Sequence, residues 1–194
     1  MNKKKSSKWN NYWKRICPVA MRETELSLLP KKFAEVISWD EQEGMGLIIH
    51  GTTGTCKTRS VWMLLKHLSF EYNTDFFFVN STDLATKISS QYARIEHSKE
   101  YNNFIHTCKI ATVLCIDDIG KEKFTERVSS ELFSLIDFRS CHKLPVIYTS
   151  NYVGGELLAK FPSKEIGEPI LRRIRENTKS IHYKAIKDDY YQPR

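Results

Sequence analysis

The chain reads as an α/β protein built on a parallel sheet with helices on both faces, and three observations predict this. Short apolar runs of strand length alternate with longer segments whose apolar residues recur at helical spacing. The first run leads directly into a glycine-containing loop. The third ends in paired aspartates, so the polar chemistry gathers at strand carboxyl ends, where open sheets of this class bind ligands. The 194 residues, 41% hydrophobic and 27% charged, are ordinary for a soluble globular domain that needs no disulfide or metal staple.

The elements follow in order. Gly46-Leu-Ile-Ile-His50 is a short buried strand, followed at once by Gly51-Thr-Thr-Gly-Thr-Cys-Lys-Thr58. From Arg59 to Tyr72, Val61, Trp62, Leu64, Leu65 and Leu68 mark a helix. Phe76-Phe-Phe-Val-Asn80 is the second strand, and Ser81 and Asp83 open a helix expected to run to about Ile95. Ile110 to Ile116 forms the third strand and ends in Asp117-Asp118-Ile119-Gly120. Val128, Leu132, Leu135 and Ile136 share one helix face. Pro145-Val-Ile-Tyr-Thr149 is a fourth strand, with proline tolerable at its first position. A helix around Glu168–Glu176 and a strand near Ser180–Lys184 complete the pattern.

The net charge of +7 is concentrated at one end. Residues 1–15 hold Lys3, Lys4, Lys5, Lys8, Lys14 and Arg15 and no acid, so the remainder is close to neutral. Trp9, Tyr12 and Trp13 interleave with these charges. Two readings of this arm stay open: a segment that tracks phosphates and stacks on bases, or a tail whose aromatics pack on the domain or a partner protein. Residues 1–43 are taken as a basic, aromatic arm or partner-binding segment and 44–194 as the globular core. Cys17, Cys56, Cys108, Cys115 and Cys141 are odd in number and lack a C-x-x-C spacing, so reduced thiols are expected and a structural zinc is not. No apolar run approaches the roughly 18 residues of a membrane span, and no apolar segment follows the N-terminal lysines as in a secretory signal. A cytoplasmic protein is the expectation.

The loop from Gly51 to Thr58 lies between a strand and a helix, the context a phosphate-binding P-loop requires. Gly51 and Gly54 allow the backbone of Thr52, Thr53, Thr55 and Cys56 to turn its N–H groups inward, and the helix beginning near Lys57 adds its positive dipole end. Lys57 is placed to reach β- and γ-phosphates, and the Thr58 hydroxyl to ligate Mg²⁺. The pattern departs at Cys56, where glycine is usual. Asp117 fits an acid that holds the same metal, and Asp118 a general base that orients the attacking water. The alternative is a pair of turn aspartates ahead of Gly120. Thr149-Ser150-Asn151 ends the fourth strand; Asn151 is either a γ-phosphate sensor or an ordinary turn asparagine.

In order, G-T-T-G-T-C-K-T, V-L-C-I-D-D-I-G, P-V-I-Y-T-S-N and P-I-L-R-R-I resemble the AAA+ ATPases of the DnaC/IstB type, which are helicase loaders and transposition helper ATPases. The resemblance covers about residues 44–185. It implies a P-loop NTPase core with a five-stranded sheet ordered 5-1-4-3-2, which sets Asn151 between the P-loop and the paired aspartates. It also implies that Arg173 acts as an arginine finger on the ATP of a neighbouring subunit. Arg172 stands where the family has aspartate, so both arginines are candidates. Only 21 residues follow Arg173, too few for the C-terminal helical lid of many relatives.

The implied function is ATP binding and hydrolysis with Mg²⁺ by a homo-oligomer that loads a replicative helicase and contacts single-stranded or duplex DNA. A transposition helper is the alternative, as is a nucleotide-binding adaptor in which Cys56 slows or silences hydrolysis.

Overall fold

The five apolar strands of the computed structural model, which describes residues 13–40, 44–90 and 98–184, form one parallel sheet. They are β1 (Gly46–Gly51), β2 (Phe76–Asn80), β3 (Val113–Asp117), β4 (Val146–Ser150) and β5 (Thr178–Tyr183), in the order β2-β3-β4-β1-β5. This is the predicted order read from the other edge. The central strands β3 and β4 are buried at every position, which explains why their sequences are continuous apolar runs rather than alternating ones.

Alternate residues of each strand face two cores. On one face Leu47, Ile49, Cys115, Ile147 and Tyr183 pack against Val61, Leu64 and Leu65 of the helix Lys57–His67 and against Trp13, Phe33, Val36 and Trp39 from the chain ahead of β1. On the other, Ile48, Leu114, Ile116 and Tyr148 meet Leu132, Leu135 and Ile136 of the helix Glu126–Cys141, and Ile170 and Ile174 of the helix Lys164–Glu176.

Among the described residues, the α-helices with both ends defined are, in chain order, α1 (Val19–Arg22), α2 (Phe33–Ile37), α3 (Lys57–His67), α4 (Ser81–Ser90), α5 (Ser98–Ile110), α6 (Glu126–Cys141), α7 (Gly154–Leu158) and α8 (Lys164–Glu176).

Several predicted boundaries move. Helix α3 gives way to a π-helical turn at Leu68–Tyr72, and Asn73 (φ 59°) stops it in the left-handed region that asparagine tolerates. Ile110 ends α5 rather than opening β3. The reason lies in Arg139 of α6. Its buried guanidinium donates to the carbonyls of Cys108, Lys109 and Ala111 at 2.8–3.0 Å, and to those of Thr112 and Pro145. It thereby closes the helix and joins it to the start of β4. Helix α8 begins at Lys164, ahead of the expected Glu168, because Ser163 caps it by accepting from the Ile166 N–H. Strand β4 begins one residue after Pro145, whose carbonyl accepts from the Leu114 N–H. Strand β5 starts at Thr178, ahead of the expected Ser180.

Lys3, Lys4, Lys5, Lys8, Trp9 and Tyr12 of the arm, and Ile95, lie outside the described residues. Trp13 is described and buried, edge-on to Trp62 at 5.6 Å and to Phe70 at 6.5 Å, so this aromatic packs on the domain. Among the described residues no helix is long and apolar enough to cross a membrane.

Candidate functional site

The loop after β1 is shaped by its backbone first. Gly51 has φ +150°, and a Cβ there would stand 2.1 Å from the Tyr183 carbonyl of β5, so only glycine fits. At the other end of the loop Cys56 occupies the left-handed region (φ 64°, ψ 21°) immediately before α3. This is why glycine is usual at that position, and the cysteine holds it at a steric cost of about 1–2 kcal/mol. The residue is 9% exposed, and its thiol lies 3.9 Å from the Gly54 carbonyl.

Lys57 opens α3 and folds back over the loop. Its Nζ donates to the carbonyls of Gly51 (2.9 Å) and Thr52 (2.8 Å) and lies 3.5 Å from Thr55 Oγ1. Thr55 Oγ1 in turn donates to the Thr52 carbonyl at 2.8 Å, which holds the loop closed. Burial pushes the Lys57 pKa below that of an ordinary lysine, while the charges of Asp118 and Asp117 oppose that shift.

The acids arrive from β3. Asp117 is 5% exposed, and its Oδ1 accepts from the Thr149 hydroxyl (2.6 Å) and the Thr58 hydroxyl (2.9 Å). Burial raises its pKa, against the lowering effect of those two hydrogen bonds and of Lys57. A carboxylate and a hydroxyl side by side are hard oxygen donors suited to Mg²⁺, and a buried carboxylate gains from a cation beside it. Asp118 follows with φ 58°, a conformation that aspartate tolerates better than most residues. Its N–H donates to Thr149 Oγ1 at 2.8 Å, and its carboxylate lies 3.8 Å from exposed Lys121.

Asn151 comes from the end of β4. With Thr53, Gly54, Thr55, Cys56, Lys57, Thr58 and Asp118 it lines a cavity of about 340 Å³. Met21 of α1 and Arg59 of α3 complete the walls. Arg59 ties the two together by donating to the Ala20 carbonyl and to Thr24 Oγ1. Residues that are far apart in sequence thus meet at the carboxyl ends of β1, β3 and β4. The two arginines do not. Arg173 of α8 is bound to Asp137 of α6 through Nε (3.0 Å) and Nη2 (2.9 Å), and Arg172 pairs with Glu176 at 3.4 Å; both lie away from the cavity.

Sequence reasoning passed over three contributors. Thr149 carried a signal, because it stands two residues before Asn151 at the end of a buried strand. Met21 and Arg59 carried none, since nothing local tells that the chain ahead of β1 returns to the loop.

A family model described as the ATPase family associated with various cellular activities (AAA) matches residues 47–166. The replicative helicase loader DnaI of Bacillus subtilis (strain 168) is 28% identical over 128 residues, which are 65% of this chain and 39% of that protein. The chain therefore spans about two fifths of the length of this curated relative. Among solved structures, DnaI covers 88% of this chain and 93% of its own at TM-score 0.69, and the DnaC helicase loader covers 77% and 84% at 0.64, each 22% identical. The replication initiator DnaA bound to AMPPCP and single-stranded DNA covers 81% and 46% at 0.61, with 17% identity. At these identities the likeness is one of fold.

Proposed function

The chain belongs to the ATPase family associated with various cellular activities, and from that premise we propose that it binds ATP with Mg²⁺, hydrolyses it as an oligomer and acts as a replicative helicase loader. The observation that carries this reading is the convergence of Lys57, Thr58, Asp118 and Asn151 on one cavity, with Asp117 hydrogen-bonded to Thr58 at its edge. The resemblance to DnaI supports the loader role, and the partners that follow from it are a replicative helicase and DNA in the cytoplasm.

The Gly51–Cys56 backbone and the N-terminus of α3 take the phosphates. Lys57 exchanges its carbonyl partners for the β- and γ-phosphate oxygens. Thr58 and Asp117 would hold Mg²⁺, which would neutralise charge on the phosphates. Asp118 orients the attacking water and accepts its proton, and the Asn151 amide donates to the γ-phosphate. Arg173 serves the site of a neighbouring subunit once it leaves Asp137; an arginine supplied in this way contributes about 10³–10⁵ in rate.

Asp118→Asn tests the assignment: it binds ATP as the wild type does and turns over at background. Equal turnover in the two proteins removes Asp118 from the mechanism. One observation favours a second reading. Cys56 holds a left-handed backbone at the position where P-loops usually carry glycine, and a nucleotide-binding adaptor with little hydrolysis fits that departure. A transposition helper would share every residue named above and differ in partner, so ATP-dependent association with a replicative helicase separates it from a loader.

A further inference from the structure

Thr149 is assigned no phosphate, metal or water in the site described above, yet its side chain bonds to both acids. Its hydroxyl is completely buried, donates to Asp117 Oδ1 at 2.6 Å and accepts from the Asp118 N–H at 2.8 Å. A threonine hydroxyl has one proton and two acceptor lone pairs, so these two bonds fix its direction: the proton goes to the carboxylate and a lone pair to the amide. The surrounding turn is bound to β4 in the same way. The Ile119 N–H donates to the Thr149 carbonyl at 2.9 Å, and Ser150 Oγ donates to the Ile119 carbonyl at 2.7 Å. Asp118 is thus held left-handed by contacts from the strand that also ends in Asn151.

We propose that Thr149 is a positioning residue for the nucleotide site: one hydroxyl aims the metal-holding carboxylate of Asp117 and sets the backbone from which Asp118 reaches the cavity. This rests on the ATPase reading above. It adds that the sensor strand and the two acids are joined through a single side chain, so a shift at Asn151 reaches the metal-holding acid without an intervening element. Valine has the shape of threonine without the hydroxyl, and serine keeps the hydroxyl without the methyl.

The test compares Thr149→Val and Thr149→Ser with the wild type in two readouts that need no turnover. The first is hydrogen exchange of the Asp118 amide in nucleotide-free protein. The second is the affinity for a fluorescent ATP analogue, measured in EDTA and in Mg²⁺. In Thr149→Val the amide exchanges about tenfold faster or more, the gain in affinity from Mg²⁺ falls about tenfold, and affinity in EDTA stays within about twofold. Thr149→Ser restores both readouts to within about threefold of wild type. An unchanged Mg²⁺ gain in Thr149→Val overturns the role, as does a loss of affinity that is equal in EDTA and Mg²⁺, which would mark Thr149 as packing alone. If the wild type binds no nucleotide in either condition, the ATPase reading itself fails and takes this role with it. Should the valine variant not fold, Thr149→Cys, with its weak S–H donor, carries the same comparison.

Discussion

Cys56 offers a way to measure the conformation of the phosphate loop through stability alone. At φ 64° and ψ 21° a side chain costs about 1–2 kcal/mol, a cost that glycine does not carry. Replacing an ordinary residue by glycine loses about 0.4–1 kcal/mol through the greater freedom of the unfolded chain. Cys56→Ala removes the buried thiol but keeps the Cβ and therefore the strain. Cys56→Gly removes both. Relative to the alanine variant, the glycine variant is therefore more stable by about 1 kcal/mol, or roughly 2–4 °C in Tm for a chain of this size. At an unstrained position the sign is the reverse. Urea titrations of the two variants at pH 7, without nucleotide, give the comparison. A glycine variant less stable than the alanine variant would refute the left-handed assignment and remove the physical basis for treating Cys56 as a departure. Because the loop must hold this shape to present its N–H groups, Cys56→Gly also binds ATP at least as tightly as wild type.

Three further outcomes follow from the same geometry. Arg139→Met removes the side-chain donor from the carbonyls of Cys108, Lys109 and Ala111 and one of two donors from that of Pro145, and lowers stability by about 3 kcal/mol or more, read as a fall in Tm of roughly 6–12 °C. Arg173→Ala binds ATP normally and loses oligomer-dependent turnover by about 10³ or more. It changes stability by less than about 1 kcal/mol, because its ion pair with Asp137 is a third exposed on each side. His50 stacks on His182 at 4.8 Å and lies 3.0 Å from Ser180 Oγ; burial first, then His182, Lys32 and Lys57, lower its pKa from 6.5. The folded state therefore resists protonating His50, and stability present above the unfolded pKa is lost as pH falls through the folded one. Urea midpoints of His50→Gln consequently fall less than those of wild type between about pH 7 and pH 5.

The features legible in the sequence were those whose meaning is local. The apolar runs of β1, β3 and β4 announced themselves because strands buried on both faces have no alternation to confuse, and the Phe76–Val79 run of β2 is as apolar. The P-loop, Asp117-Asp118 and Thr149-Ser150-Asn151 each combine a strand end with polar residues whose chemistry is specific. What escaped depends on distant partners. Helix α5, with Lys99, Asn102, Asn103 and Lys109, presents a weak apolar pattern, and its end is decided by Arg139 from α6. Packing of Trp13 on the domain was one of two open readings, but its partner Trp62 was not legible, and Met21 gave no sign that it would wall the cavity. The left-handed backbone at Cys56 and Asp118 was hidden for a different reason: neither residue is glycine, and in each case the surrounding hydrogen bonds and packing set the conformation against local preference.

The central claim is that the loop from Gly51 to Thr58 and the acids at the end of β3 form one working ATP site. Steady-state ATP hydrolysis over a protein-concentration series, with and without single-stranded DNA and with Lys57→Ala as the blank, tests it most directly. Turnover per subunit that rises with concentration, responds to DNA and vanishes in Lys57→Ala is the predicted result. Wild-type protein that matches the blank at every concentration, and binds ATP no better than Lys57→Ala, would contradict it.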